Sequence, residues 1–132
     1  MLSILNAVCN KVFAFKGPAD DETTNREVKF PISVPVTSAY AAAVTLAPVY
    51  RESFVSQAVS GALTLNVSTA NADYGDRLII KFTLDGTNRT ITWGTGVAPQ
   101  SATLAGTASN KYICHLFFNG TNWEETSRSA GY

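Results

Sequence analysis

Apolar and polar residues alternate along much of this chain, most cleanly over residues 63–93. Leu78, Ile80, Phe82 and Leu84 occupy every second position, with Ile79, Lys81 and Thr83 between them. A strand here divides these two sets between its faces. Asp85-Gly86 follows, and residues 89–93 return with Ile91 and Trp93 on one side and Thr90 and Thr92 on the other. Asp-Gly between alternating runs is a strong hairpin signal and predicts an antiparallel pair. Residues 111–118 alternate in the same way, Tyr112, Cys114, Leu116 and Phe118 against Ile113, His115 and Phe117. Both sets are largely apolar, which predicts a central strand covered on both sides or a face buried between subunits. Asn119-Gly120-Thr121-Asn122 then repeats the pattern of Asp85-Gly86-Thr87-Asn88. The repeat predicts two turns of one type, each pinned by a glycine at positive φ.

The rest of the pattern is weaker. Residues 28–36, VKFPISVPV, alternate with Pro31 and Pro35 on the outward face, which suits an edge strand or an extended arm. Short strands are expected at 43–46 and around 103–104, and residues 50–59 lean to strand. Residues 2–13 fit a helix with Leu2, Leu5, Val8, Cys9, Val12 and Phe13 along one side, or a strand near 11–15. Residues 17–25 form a loop whose Asp20-Asp21-Glu22 run reads as solvated. The expected organisation is an N-terminal arm and loop over residues 1–27, then one domain over 28–132. The expected fold is all-β, an antiparallel β-sandwich of jelly-roll type, because several short strands recur at regular spacing between turn residues.

Composition narrows the function classes. With 132 residues, the chain is long enough for one core. Ten basic residues balance ten acidic ones, so phosphate-driven nucleic-acid binding has no electrostatic footprint. Charged residues make up only 15%, leaving a surface of Thr, Ser and Asn. Residues 1–15 are too short and too polar to insert across a membrane and lack the basic start of a secretory signal.

No catalytic arrangement stands out. His115 is the single histidine and lies mid-strand, and no G-x-S-x-G elbow is present. Cys114 and His115 are adjacent in a strand, so they point apart. Asp73, Asp76 and Asp85 sit in turn contexts, where a carboxylate caps backbone N–H groups. Cys9 and Cys114 match no metal spacing. The reading is a protein without enzymatic activity, metal or cofactor. Trp93 and Trp123 would stack on sugar rings if exposed, and otherwise belong to a core or interface.

Three runs carry a resemblance: GALTLNV (61–67), YGDRLIIKFTLDGTNRTITWGTGV (74–97) and KYICHLFFNGTNWEE (111–125). They resemble a β module of tailed-bacteriophage virion proteins, found in tail fibres and tail spikes, head fibres and capsid decoration proteins. The shared motifs are G-D-R-L before the long strand, the D-G-T-x-R-T-I-T-W-G hairpin and the apolar strand ending in N-G-T-N-W. The resemblance spans residues 61–125, about half of the chain. It implies a homotrimer on the exterior of the virion, assembled in the host cytoplasm and docked on capsid or other virion proteins. Residues 1–15 would be the anchor, through Leu2, Ile4, Leu5, Val8, Val12, Phe13 and Phe15. Trp93, Tyr112, His115, Phe117 and Trp123 become subunit-interface or glycan-stacking candidates. The first expectation is a small structural head-fibre, decoration or tail-associated protein, favoured by the start at Met1 and the short length. The alternative is a receptor-binding knob that recognises a host glycan.

Overall fold

A computed structural model describes residues 35–132. They form ten strands: β1 (Val36–Ser38), β2 (Ala43–Leu46), β3 (Glu52–Val59), β4 (Leu63–Val67), β5 (Arg77–Leu84), β6 (Arg89–Trp93), β7 (Val97–Ala98), β8 (Thr103–Gly106), β9 (Lys111–Phe118) and β10 (Trp123–Arg128). Sheet A has six strands in the order β1-β3-β5-β9-β10-β7, and sheet B has four in the order β2-β4-β6-β8.

The first six strands alternate between the sheets. Each pairs in parallel with the strand one coil later: β1 with β3 and β3 with β5 in sheet A, β2 with β4 and β4 with β6 in sheet B. This is a β-solenoid of about three turns. The chain then reverses. β8 runs antiparallel to β6, β9 to β5 and β10 to β9, closing the solenoid at its C-terminal end.

The antiparallel sandwich of jelly-roll type is therefore overturned; what holds is the all-β class. The Asp85-Gly86 signal shows why. β5 and β6 are not a hairpin: they lie in different sheets, and the turn carries the chain around a solenoid corner. A two-residue type I′ hairpin needs positive φ at both central positions, and Gly86 is not among the positive-φ glycines. Instead the Asp85 carboxylate accepts the Thr87 N–H at 3.2 Å and is clasped by Arg89 Nε at 3.0 Å and Nη2 at 2.7 Å. Its backbone N–H donates to Val59 of the previous coil at 3.1 Å. The look-alike turn at Asn119 does form a hairpin, between β9 and β10, with Gly120 at φ 93°. There Asn119 Oδ1 accepts the N–H groups of Thr121 and Asn122.

The strands expected at 43–46, along the alternation of residues 78–84, and at 89–93 and 111–118 are present, and a further strand, Leu63–Val67, opens the alternating stretch. Val36 opens β1 at an edge of sheet A. Residues 28–34 of the segment expected at 28–36, the N-terminal arm or helix and the boundary at residue 27 lie outside the described residues. So do the anchor candidates Leu2, Ile4, Leu5, Val8, Val12, Phe13 and Phe15.

One core fills the space between the sheets. Leu78, Ile80, Phe82 and Leu84 of β5 meet Leu63, Leu65 and Val67 of β4 and Ile91 and Trp93 of β6. Tyr112, Cys114, Leu116 and Phe118 of β9 complete it, with Trp123 of β10 fully buried. Phe82 and Trp93 meet edge to face at 5.9 Å, a favoured aromatic geometry. Trp123 Nε1 donates to the Ser68 carbonyl at 3.0 Å, tying the closing strand to the end of β4.

Candidate functional site

The inward residues of sheet A are consumed by this core, so any site must come from its outer face or its ends. Cross-strand register sets the outer face in rows. Glu52, Arg77, Phe117 and Glu124 form the first row, and Phe54, Ile79 and His115 the second. Ser56, Lys81 and Ile113 form the third, and Ala58, Thr83 and Lys111 the fourth. Ile79, Ile113 and Phe117 are half-buried on this solvent side of two adjacent strands, with Phe54 beside them on β3. A shallow groove of about 430 Å³, lined by Pro35, Phe54, Val55, Ser56, Ile79, Lys81 and Ile113, runs along the β1–β9 part of the face. Four large apolar side chains on one outward face depart from the polar exterior that solvated sheets carry.

Sheet B makes the contrast. Its outward positions are Thr64 and Asn66, Thr90 and Thr92, and Thr103 and Ala105, short and mostly polar. The difference is written in the sequence: Ile79, Ile113 and Phe117 fall on the positions alternate to the core.

Of the residues proposed for subunit contact or sugar stacking, His115 and Phe117 are on the outer face. Trp93, Tyr112 and Trp123 point into the core and offer no ring face to a sugar. The Tyr112 hydroxyl is spent internally: it accepts the Thr107 N–H at 2.9 Å, and hydrogen bonding to Thr107 holds it below the usual tyrosine range.

Sequence reading missed a buried charge network at the closing end. β10 carries a bulge between Glu125 and Ser127, which turns both Glu125 and Arg128 inward. Simple alternation would have put Glu125 and Ser127 on one face. The Glu125 side chain is fully buried and takes Arg128 Nε at 2.7 Å and Nη2 at 2.8 Å. It also accepts the Gln100 N–H at 3.0 Å, while Arg128 donates to the Thr103 and Ser101 carbonyls. The Glu125 carboxylate holds the Arg128 guanidinium above its ordinary value.

The network faces Cys114, whose thiol burial, reinforced by the Glu125 carboxylate, pushes up to about 12. A thiol so placed stays protonated and is not a nucleophile. The expected outcome is that iodoacetamide leaves Cys114 unmodified in the folded chain and labels it only once the chain is unfolded, as read by mass spectrometry of peptides.

The carboxylates are structural. Asp76, buried, accepts the Asp73 N–H at 2.9 Å and approaches Arg51 Nη1 at 3.5 Å, fixing the loop that leads into β5. Asp85 is held below the ordinary carboxylate range first by its hydrogen bonds from Arg89. It therefore favours the fold above that range, and the contribution fades as pH falls through the lowered value. Among the described residues, no three His, Cys, Asp or Glu side chains gather to hold a metal ion.

No family model, curated protein or solved structure matches this chain. The virion resemblance of residues 61–125 thus has no matched relative behind it.

Proposed function

We propose that this chain is a non-enzymatic structural protein that associates with copies of itself through the outer face of sheet A. The observation that carries the reading is the apolar set Ile79, Ile113 and Phe117 standing on the solvent side of β5 and β9. Contiguous apolar surface on a folded sheet favours a protein contact, and a homo-oligomer meets that need with a single gene product. The resemblance of residues 61–125 to virion β modules extends the proposal. The assembly is a homotrimer on the exterior of a phage particle, a head-fibre, decoration or tail-associated component docked on capsid or other virion proteins.

Light scattering of the full chain tests the association. The expected mass is three times the 14.1 kDa of one chain. Ile113→Glu places a charge in the middle of the face and is expected to give a single-chain mass. The single chain should keep its β fold, as read by circular dichroism, while losing the stabilisation that assembly gives the unaltered protein. A single-chain mass for the unaltered protein removes the proposal. The virion part has its own test: antibody to this chain should label purified particles in electron micrographs.

A further inference from the structure

We propose that Asn119 is a site of self-catalysed deamidation, in which the folded β9–β10 turn promotes closure of its carboxamide onto the Gly120 nitrogen. Two observations meet there. Asn119 Oδ1 accepts the N–H groups of Thr121 at 3.0 Å and Asn122 at 2.9 Å. The Gly120 N–H makes no hydrogen bond among the described residues. Asn119 is exposed, so water reaches it.

The chemistry follows from these positions. The Gly120 nitrogen gives up its proton to a solvent base and attacks Asn119 Cγ, and negative charge gathers on Oδ1. Two backbone N–H groups already point at that oxygen, the arrangement of an oxyanion hole. A hydrogen bond to an ionised oxygen is roughly twice as strong as one to a neutral oxygen, so the pair favours the transition state over the resting amide. The Cγ–Nδ2 bond then breaks, and the nitrogen leaves as ammonia with a proton taken from water. Water opens the remaining succinimide ring at either carbonyl, giving aspartate or isoaspartate.

The neighbours of other asparagines are tied down. After Asn66, Asn71, Asn110 and Asn122 the next N–H is spent on a carbonyl: Val67 on Thr95 at 3.0 Å, Ala72 on Thr69 at 3.3 Å, Lys111 on Tyr132 at 2.9 Å and Trp123 on Gly96 at 2.8 Å. Asn88 is followed by Arg89, whose side chain Asp85 holds. Asn66 is the informative contrast. Its Oδ1 also accepts two bonds, from the Thr95 N–H at 2.8 Å and Oγ1 at 3.2 Å, but the attacking nitrogen would be that of Val67, already committed and β-branched. Gly120 has no Cβ to obstruct the approach.

The products act differently on the turn. Aspartate keeps an acceptor oxygen, as Asp85 does toward the Thr87 N–H in the matching turn. Isoaspartate lengthens the main chain by one carbon inside a hairpin whose register pairs Phe118 with Trp123.

The test is incubation of the full chain at mildly alkaline pH, folded in buffer and unfolded in guanidinium chloride, beside a free peptide of residues 115–125. Peptide mapping by mass spectrometry reads the loss of ammonia and then the gain of acid at each asparagine. Asn119 is expected to convert before any other described asparagine. Its rate should be at least about tenfold higher in the folded chain than in the unfolded chain or the peptide, since a single oxyanion-hole donor is commonly worth more than that. An equal or slower rate in the folded chain, or earlier conversion of another described asparagine, overturns the inference.

Discussion

Arg128→Ala is expected to destabilise this protein by about 3–5 kcal/mol, measured by urea unfolding at neutral pH. The loss comes less from Arg128 than from what it leaves behind. Glu125 is fully buried, and without Arg128 its carboxylate keeps only neutral partners, the Gln100 N–H and the Cys114 thiol. A buried carboxylate without its counter-charge costs several kcal/mol. The Thr103 and Ser101 carbonyls that Arg128 serves also lose a donor, but these bonds lie in exposed surroundings and water replaces them. The asymmetry gives a control. Glu125→Leu combined with Arg128→Leu removes both charges, and such pairs are often replaced at little net cost. The double variant should be much closer to the parent than Arg128→Ala. Equal losses in the two would mean that the pair itself stabilises the closing end.

Gly96→Ala is expected to cost roughly 3 kcal/mol or more, from a strained left-handed backbone together with steric overlap. Gly96 follows β6 at φ 81°, a region L side chains rarely adopt. A methyl there would run into the Val67 carbonyl at the end of β4. The glycine cannot move aside, because its own carbonyl accepts the Trp123 N–H at 2.8 Å, and Thr95 beside it donates to Asn66 Oδ1 at 2.8 Å. The corner thus joins β4, β6 and β10 at one point. Gly86 provides the comparison: a Cβ built there meets nothing within 4 Å, and its φ is not in the positive region. Gly86→Ala should fall within about 0.5 kcal/mol of the parent. Two glycines in similar loops therefore differ sharply in thermal unfolding.

Alternation made the faces legible and left the partners hidden. That Leu78, Ile80, Phe82 and Leu84 point inward while Ile79 points out follows from a period of two alone. Whether β5 pairs with β6 or with β3 depends on the turn after Leu84, and two almost identical turn sequences behave oppositely. Asn119 opens a hairpin because Gly120 takes positive φ; Asp85 opens a corner because Arg89 clasps its carboxylate and Val59 takes its N–H. The solenoid repeat was concealed as well. Val36 pairs with Val55, but Glu52 pairs with Arg77, so the coils differ in length and no fixed period marks the sequence.

The site was legible in part. His115 and Phe117 were readable as outward, whereas Trp93, Tyr112 and Trp123 proved to be core. For Trp123 the position at a strand start, next to an exposed turn, gave no hint that its ring reaches across to Ser68. Arg77 joins the face only through β5–β9 register, which a single sequence does not display. The Glu125–Arg128 pair depended on a bulge, and what marked it beforehand was opposite charges three apart in an otherwise polar tail.

The face of sheet A that carries Ile113 can be interrogated directly by placing a photo-crosslinking amino acid at single positions of the full chain. Irradiation with the crosslinker at position 113 should give covalent dimers and trimers of the chain. The same crosslinker at position 64, on the threonine face of sheet B, should leave single chains. Single chains from position 113, or crosslinked products from position 64 instead, would contradict the assignment of the sheet A face to contacts between copies.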